Sequence, residues 1–348
     1  MLKSLKAMAK AVVSPLMDAT GIFERRMQRI SSQEGAWVIL MYHRVIDDQS
    51  LDPFRLGMCV SLERYEQQVA YLSRRFNVLT VGDAVQRLAI GQPLPRRALS
   101  ITFDDGYLDC LTRVLPVMKR YGAPFSVYVP TQGMATQEML WWDRVITALA
   151  CTRRTELDLQ EVGLSSHREP LSFSGGVGAE QAEQILNRLW TLPKTACDRS
   201  VDLLERWLAP VDTERLWAHR LSPRQVRQLH QQGVEIGVHS ASHPNLALAD
   251  ETLIRHELQS SQQALENLLQ EPVRGFAYPG GRVGPAVQRM VGEQGFVYAL
   301  GTCAGINRMP YEGLRLRRIG APDASLPDFR RAVSGAMART LPDDQLHF

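Results

Sequence analysis

Paired cysteines are missing from this 348-residue chain. The five cysteines present, Cys59, Cys110, Cys151, Cys197 and Cys303, are odd in number and scattered, with no C-x-x-C pair among them. That pattern argues against a disulfide framework and a zinc ribbon, and it fits a reducing compartment. A large excess of one charge sign is missing as well. A formal net charge of +3, without arginines interleaved with aromatics, gives no reason to expect a nucleic-acid partner. No Gly-x-Gly-x-x-Gly element follows the first apolar segment, which argues against a dinucleotide fold. There is no internal repeat or low-complexity tract. With 45% hydrophobic and 22% charged residues, the composition is that of a globular protein with a sizeable core.

Long apolar runs are also lacking. The first thirty residues carry Lys3, Lys6 and Lys10 ahead of a modest apolar stretch that Pro15 and Asp18 interrupt. The stretch is too short and polar to span a bilayer, and it lacks the apolar core and small-residue cleavage site of a signal peptide. Two readings stay open for residues 1–35: a basic amphipathic helix lying on a membrane surface, or a helical extension packed on the domain. The location expected from these features is the cytoplasm, at the inner face of the membrane if the first reading holds.

From residue 36 onward, apolar runs alternate with helical patterns. "AWVILMYHRV", "ALSITF", "PFSVYVP", "VEIGV", "VRGFAYP" and "GFVYALG" read as strands. Between them, Ser61 caps a helix with Leu62, Tyr65, Val69 and Leu72 on one face, and Gly122 closes another. Ser222, Pro223 and Gln225 spell a capping box, and Asp250 opens a long helix. Such alternation predicts an α/β fold with parallel strands joined by right-handed crossovers. Polar residues gather just after several strands, so a closed or partly closed (β/α) barrel is the expected form, its strand ends holding the site. A helical insertion is expected at about 141–221, on a barrel of residues 36–325, with 326–348 as a C-terminal tail.

Two polar clusters do not belong in a core. "VEIGVHSASHPNL" ends a strand with His239 and His243, spaced i, i+4 as two ligands of one metal need to be. Neutral imidazoles suit zinc, and also cobalt or nickel. "ITFDDGY" ends another strand with Asp104 and Asp105. One carboxylate would complete a facial triad, and the other could take a proton from the attacking water. On a regular strand adjacent side chains point to opposite faces, so Gly106 is expected to turn the backbone and bring both to one site.

These residues resemble the NodB-like polysaccharide deacetylases, over roughly residues 36–320. "TFDDGY" and "HSASHP" match that family's first two motifs. The resemblance implies a distorted (β/α) barrel and metal-dependent removal of N-acetyl groups from amino-sugar polymers. It also implies that Asp104 is the general base and that Asp105, His239 and His243 hold the metal. "GFAYPGG" occupies the third motif, but Ala277 stands where many members have arginine, so another residue must orient the base; Arg318 of "LRLRRIG" is the candidate. Tyr278 and Gly280 are placed at the substrate and the oxyanion, Gly280 through its backbone N–H. No late acid-histidine motif follows Arg318. "ILMYHRV" instead resembles the relocated motif of the poly-N-acetylglucosamine deacetylase branch, which makes His43 the general acid.

The implied partner is an N-acetylated glycan. Alternatives are an acetyl- or formyl-bearing sugar linked to lipid or nucleotide, handled in surface-glycan biosynthesis, and a catalytically silent glycan-binding relative. "LWWDR" at 140–144 could stack on sugar rings or pack inside the insertion.

Overall fold

All six segments read as strands form one parallel sheet in the computed structural model, which describes residues 14–281 and 283–338. They are β1 (Trp37–Tyr42), β5 (Ala98–Phe103), β6 (Ser126–Val129), β9 (Glu235–Val238), β10 (Gly275–Ala277) and β11 (Tyr298–Leu300). Two short strands join them, β4 (Asn77–Val78) beside β5 and β12 (Ile319–Gly320) beside β1. The order runs β11-β10-β9-β6-β5-β1-β12, so β1 sits between β5 and the last strand. β5 is buried throughout, as a strand of a doubly covered parallel sheet should be, and its two hydroxyls are satisfied, Ser100 accepting from Trp37 Nε1–H (3.0 Å) and Thr102 donating to Leu40 O (2.8 Å). The ends of the sheet meet just before β12. Leu316 donates its N–H to Ala299 O and accepts from Gly301 N–H, both at 2.9 Å, which ties the β11 edge to the β12 segment. The architecture is the distorted (β/α) barrel.

Helix boundaries follow their capping chemistry. The Ser222–Gln225 box forms, with Pro223 in the first turn of Pro223–Gln231, and Asp250 accepts from Leu253 N–H at the start of Glu251–Leu269. A parallel pair, β2 (Arg44–Ile46) with β3 (Cys59–Ser61), leads out of β1.

Within 141–221 lie three helices, Trp141–Cys151, Ala179–Trp190 and Lys194–Leu208, and a hairpin of β7 (Glu156–Asp158) with β8 (Pro170–Ser172). They share a core of their own, containing Val145, Leu157, Phe173, Ile185 and Leu204, which Phe54 enters from the β2–β3 connection. Among the described residues no helix is long and apolar enough to cross a membrane.

The two ends of the described chain pack on the barrel. Helix Ile22–Ser31 buries Phe23, Met27 and Ile30, and Asp18 pairs with Arg330 at 2.7 Å. Lys3, Lys6 and Lys10 lie outside the described residues. The tail expected from residue 326 begins instead with a helix, Leu326–Met337. Phe329, Val333 and Met337 recur every four residues, and that stripe buries them in the main core. Truncating Phe329, which is fully buried, to Ala should therefore cost about 3–5 kcal/mol in urea unfolding. A loss below about 1 kcal/mol would mean that this helix does not share the barrel's core.

Candidate active site

The aspartate pair reaches one site because the chain leaves its strand between the two residues. Asp104 N–H still donates to Tyr42 O (3.0 Å), continuing the β5–β1 ladder. Asp105 then takes φ +70° and Gly106 φ +62°, both in the left-handed region that L side chains seldom adopt. A side chain at Gly106 would also press on Val129, its Cβ 3.0 Å from a Val129 methyl. The half-turn cancels the strand alternation.

The histidine motif is built the same way. His239 N–H extends the β9–β6 ladder to Val129 O (3.2 Å), after which Ser240 and His243 adopt φ +61° and +55°. Buried Glu257 holds this turn, accepting from Ala241 N–H (2.9 Å), Ser242 N–H (2.8 Å) and the Ser242 hydroxyl (2.5 Å). Non-glycine residues in such backbone are costly and persist where the surroundings fix them.

Asp105, His239 and His243 come together in the interior, their candidate ligand atoms within 4.8 Å of one another. Asp105 Oδ1 lies 3.4 Å from His239 Nε2 and 3.6 Å from His243 Nε2, and it is a buried oxygen with no hydrogen-bond partner. A buried carboxylate oxygen left without a donor, facing two imidazole nitrogens, fits a divalent cation. His239 is oriented for the task. Its Nδ1–H donates to Ala277 O (2.8 Å), leaving the Nε2 lone pair for the ion. Ala277, at the position where related sequences carry arginine, thus serves through its carbonyl.

Asp104 borders this set, its Oδ2 3.9 Å from His239 Nε2, but it is held by a different partner. Arg318, entirely buried, grips both its oxygens at 2.7 Å and also donates to Gly301 O (2.8 Å) and Thr102 (3.3 Å). Burial raises the Asp104 carboxyl, but Arg318, then His239, more than offset this and hold it well below the usual carboxylate range. Asp105 is likewise raised by burial and lowered by its contact with His239, with a net lowering. Burial lowers His239, yet Asp104 and Asp105 bring it above the ordinary imidazole value. Burial and the neighbouring His239 take His243 down to about 3.

A cavity of about 590 Å³ opens onto these groups and is lined also by half-buried His43 and by Gly280. Gly280 has φ +60°, and a Cβ there would overlap the Trp190 ring at 2.3 Å. Tyr278 does not join the site. Its ring is buried against Phe276, its hydroxyl donates to Leu314 O (2.8 Å) and its N–H to Leu300 O (3.0 Å). An aromatic residue one position before Pro279 is still part of strand geometry and points into the core.

The sequence reading did not single out Glu257, Tyr107, Trp190 or the 54–58 loop, which lines the cavity through Phe54, Leu56 and Met58. Glu257 left a visible signal: it occupies the apolar face of its helix with Ile254, Leu258 and Leu265. The loop and Trp190 left none, because their place at the site depends on how the insertion folds back. Of the tryptophan pair, both line the cavity while also packing within the insertion.

The chain belongs to the polysaccharide deacetylase family, whose model matches residues 91–299. It is 30% identical over 95 residues to the poly-beta-1,6-N-acetyl-D-glucosamine N-deacetylase of Escherichia coli K12. That segment is 27% of this chain and 14% of the relative's length. Among solved structures it is similar to the Streptococcus pyogenes deacetylase PplD in complex with acetate. The TM-score is 0.57 at 16% identity, covering 85% of this chain and 96% of the other. It is also similar to IcaB from Ammonifex degensii, with a TM-score of 0.53 at 19% identity and coverage of 87% and 98%. These structural likenesses support the barrel fold.

Two outcomes follow from the geometry. His243→Ala should bind less than 0.1 equivalent of zinc after dialysis while keeping the circular dichroism of the parent. Stoichiometric zinc in that variant would contradict its role as ligand. Zinc affinity should also weaken as pH falls, beginning above the ordinary imidazole pKa of about 6.5, because a raised His239 holds its competing proton more tightly. Competition titrations giving one dissociation constant from pH 8 to pH 6 would contradict this.

Proposed function

We propose that the protein is a metal-dependent hydrolase that removes N-acetyl groups from an amino-sugar-containing glycan. The observation that carries this reading is the separation of two buried carboxylates by role: Asp105 faces two histidines, and Asp104 is clamped by Arg318. Family membership supports it. A silent glycan-binding relative would have no use for two costly buried acids so arranged.

A divalent cation held by Asp105, His239 and His243, with zinc favoured and cobalt or nickel compatible with the same donors, supplies polarisation of the amide carbonyl and acidification of a water molecule. Asp104 takes the proton of the attacking water. Arg318 keeps Asp104 ionised and fixes both its oxygens, so Asp104 is ready to accept that proton. The backbone N–H of Gly280 is assigned to the developing oxyanion. His43, on the same cavity, is assigned to protonating the departing amine. Products are acetate and a free amino sugar.

One observation favours a second substrate reading, a sugar carried on a lipid. The cavity wall includes the apolar side chains of Leu56, Met58, Ile146 and Leu186, which offer little to sugar hydroxyls. An apolar aglycone would be recognised there.

Acetate release from N-acetylglucosamine oligomers by zinc-loaded protein tests the main reading, and long-chain alkyl N-acetylglucosaminides in parallel test the second. Asp104→Asn should retain zinc and lose about a hundred- to ten-thousand-fold in turnover; a variant within threefold of the parent would mean another base. His43→Ala should slow amide cleavage strongly and an activated aryl acetate far less, since a phenolate leaves without a proton. Equal slowing of both substrates, or of neither, would remove His43 from the acid role.

A further inference from the structure

The two metal-site histidines are held in place differently. His239 has its second nitrogen on a backbone carbonyl. His243 has no such anchor: its Nδ1 is buried and meets no hydrogen-bond partner among the described residues. Ligating imidazoles ordinarily owe their orientation to a bond at that second nitrogen. Here rings take its place. The Trp142 ring lies 4.4 Å from the His243 ring at 60°, and Trp190 stands 5.8 Å away at 48°. On its far side His243 meets the His239 ring at 4.7 Å.

Trp142 is itself fixed by a chain of buried polar groups. Its Nε1–H donates to the Tyr107 hydroxyl (2.9 Å), which donates in turn to Asp143 (2.8 Å). Arg44 covers the Tyr107 ring at 4.9 Å and is tethered to Asp109 at 3.0 Å. Tyr107 closes the stretch that carries Asp104 and Asp105, whereas Trp142 and Asp143 open the first helix of the insertion. The chain therefore couples the aspartate strand end to the ring that faces the second histidine. A buried indole N–H and a buried carboxylate would not be kept beside an apolar wall without partners, and each has one here.

We propose that Trp142, anchored through Tyr107 to Asp143, is the positioning residue for His243, doing by ring contact what the Ala277 carbonyl does for His239. This rests on the reading of Asp105, His239 and His243 as a metal site. It gives the insertion a part in metal binding beyond walling the cavity, because the segment that shapes the substrate side also sets one ligand.

The test measures metal binding directly. Zinc affinity is determined by chelator competition for the parent, Trp142→Leu, Trp142→Phe, Tyr107→Phe and Trp141→Phe, and the cobalt-loaded forms are compared by their visible d–d spectra. Trp142→Leu, which removes the ring contact, should weaken zinc about 10- to 100-fold, the range for losing an orienting partner, and shift the cobalt bands. Trp142→Phe and Tyr107→Phe, which keep a ring and lose only the anchor, should each weaken zinc at least threefold. Should Trp142→Leu not fold, these two carry the test. Trp141→Phe alters a tryptophan that meets the Trp142 and Trp190 rings but not His243; it keeps a ring in that place and the Trp142 anchor, and should match the parent within twofold. If the Trp142 and Tyr107 variants bind zinc within twofold of the parent with unchanged cobalt spectra, the inference is wrong while the metal site stands. Equal weakening by Trp141→Phe would also overturn it, as a general effect of loosening the insertion. A parent that binds no zinc overturns the metal reading and this inference together.

Discussion

The ion pair between Arg318 and Asp104 is the constraint around which the site is arranged. Both groups are buried, at 0% and 2% exposure, and burying charges costs several kcal/mol per ion unless geometry and hydrogen bonds offset it. Here the fork is bidentate, and Gly301 and Thr102 accept two more of the five guanidinium hydrogens. That arrangement requires three strands in one order. β12, directly after Arg318, pairs with β1, and β1 pairs with β5, which delivers Asp104. A carboxylate so gripped is ionised, oriented and weakly basic at once.

Three of the nine non-glycine residues at positive φ among the described residues belong to the two strand-end turns that carry the site. Asp105, Ser240 and His243 all sit at positive φ, each one step or a few steps beyond the end of a ladder. For Asp105 and His243 the turn swings the side chain off the alternating pattern of the strand and into the shared interior, while the Ser240 hydroxyl accepts from His243 N–H (3.0 Å) and steadies the turn. Glu257 stabilises one such turn by accepting three bonds from it, and the pairing of Asp104 N–H with Tyr42 O holds the strand until the last residue before the other.

How much of this was legible in the sequence depended on whether a local pattern existed. The six apolar runs and the Ser222 and Asp250 caps were written in residue periodicity and side-chain chemistry, and they emerge as strands and helix starts. The two-residue strands Asn77–Val78 and Ile319–Gly320 are too short for any period, although the second sets the position of Arg318. Asp104, Asp105, His239 and His243 were conspicuous because paired polar residues ended apolar strands. Tyr278 was misjudged because a motif position was taken for a direction, and its ring follows the strand pleat into the core. Trp190 and the Phe54–Met58 loop could not have been placed, since their approach to the site depends on tertiary packing of the insertion. The expected tail at 326 failed because the Phe329, Val333 and Met337 stripe was overlooked.

The most direct measurement replaces Arg318 with Lys, which keeps one positive charge and loses the planar fork. In zinc-loaded protein confirmed to hold one equivalent of metal, acetate release from an N-acetylglucosamine oligomer should fall at least a hundredfold, because Asp104 is no longer held by both oxygens. Turnover within threefold of the parent at full zinc occupancy would contradict the account, for it would mean that the base needs no such clamp.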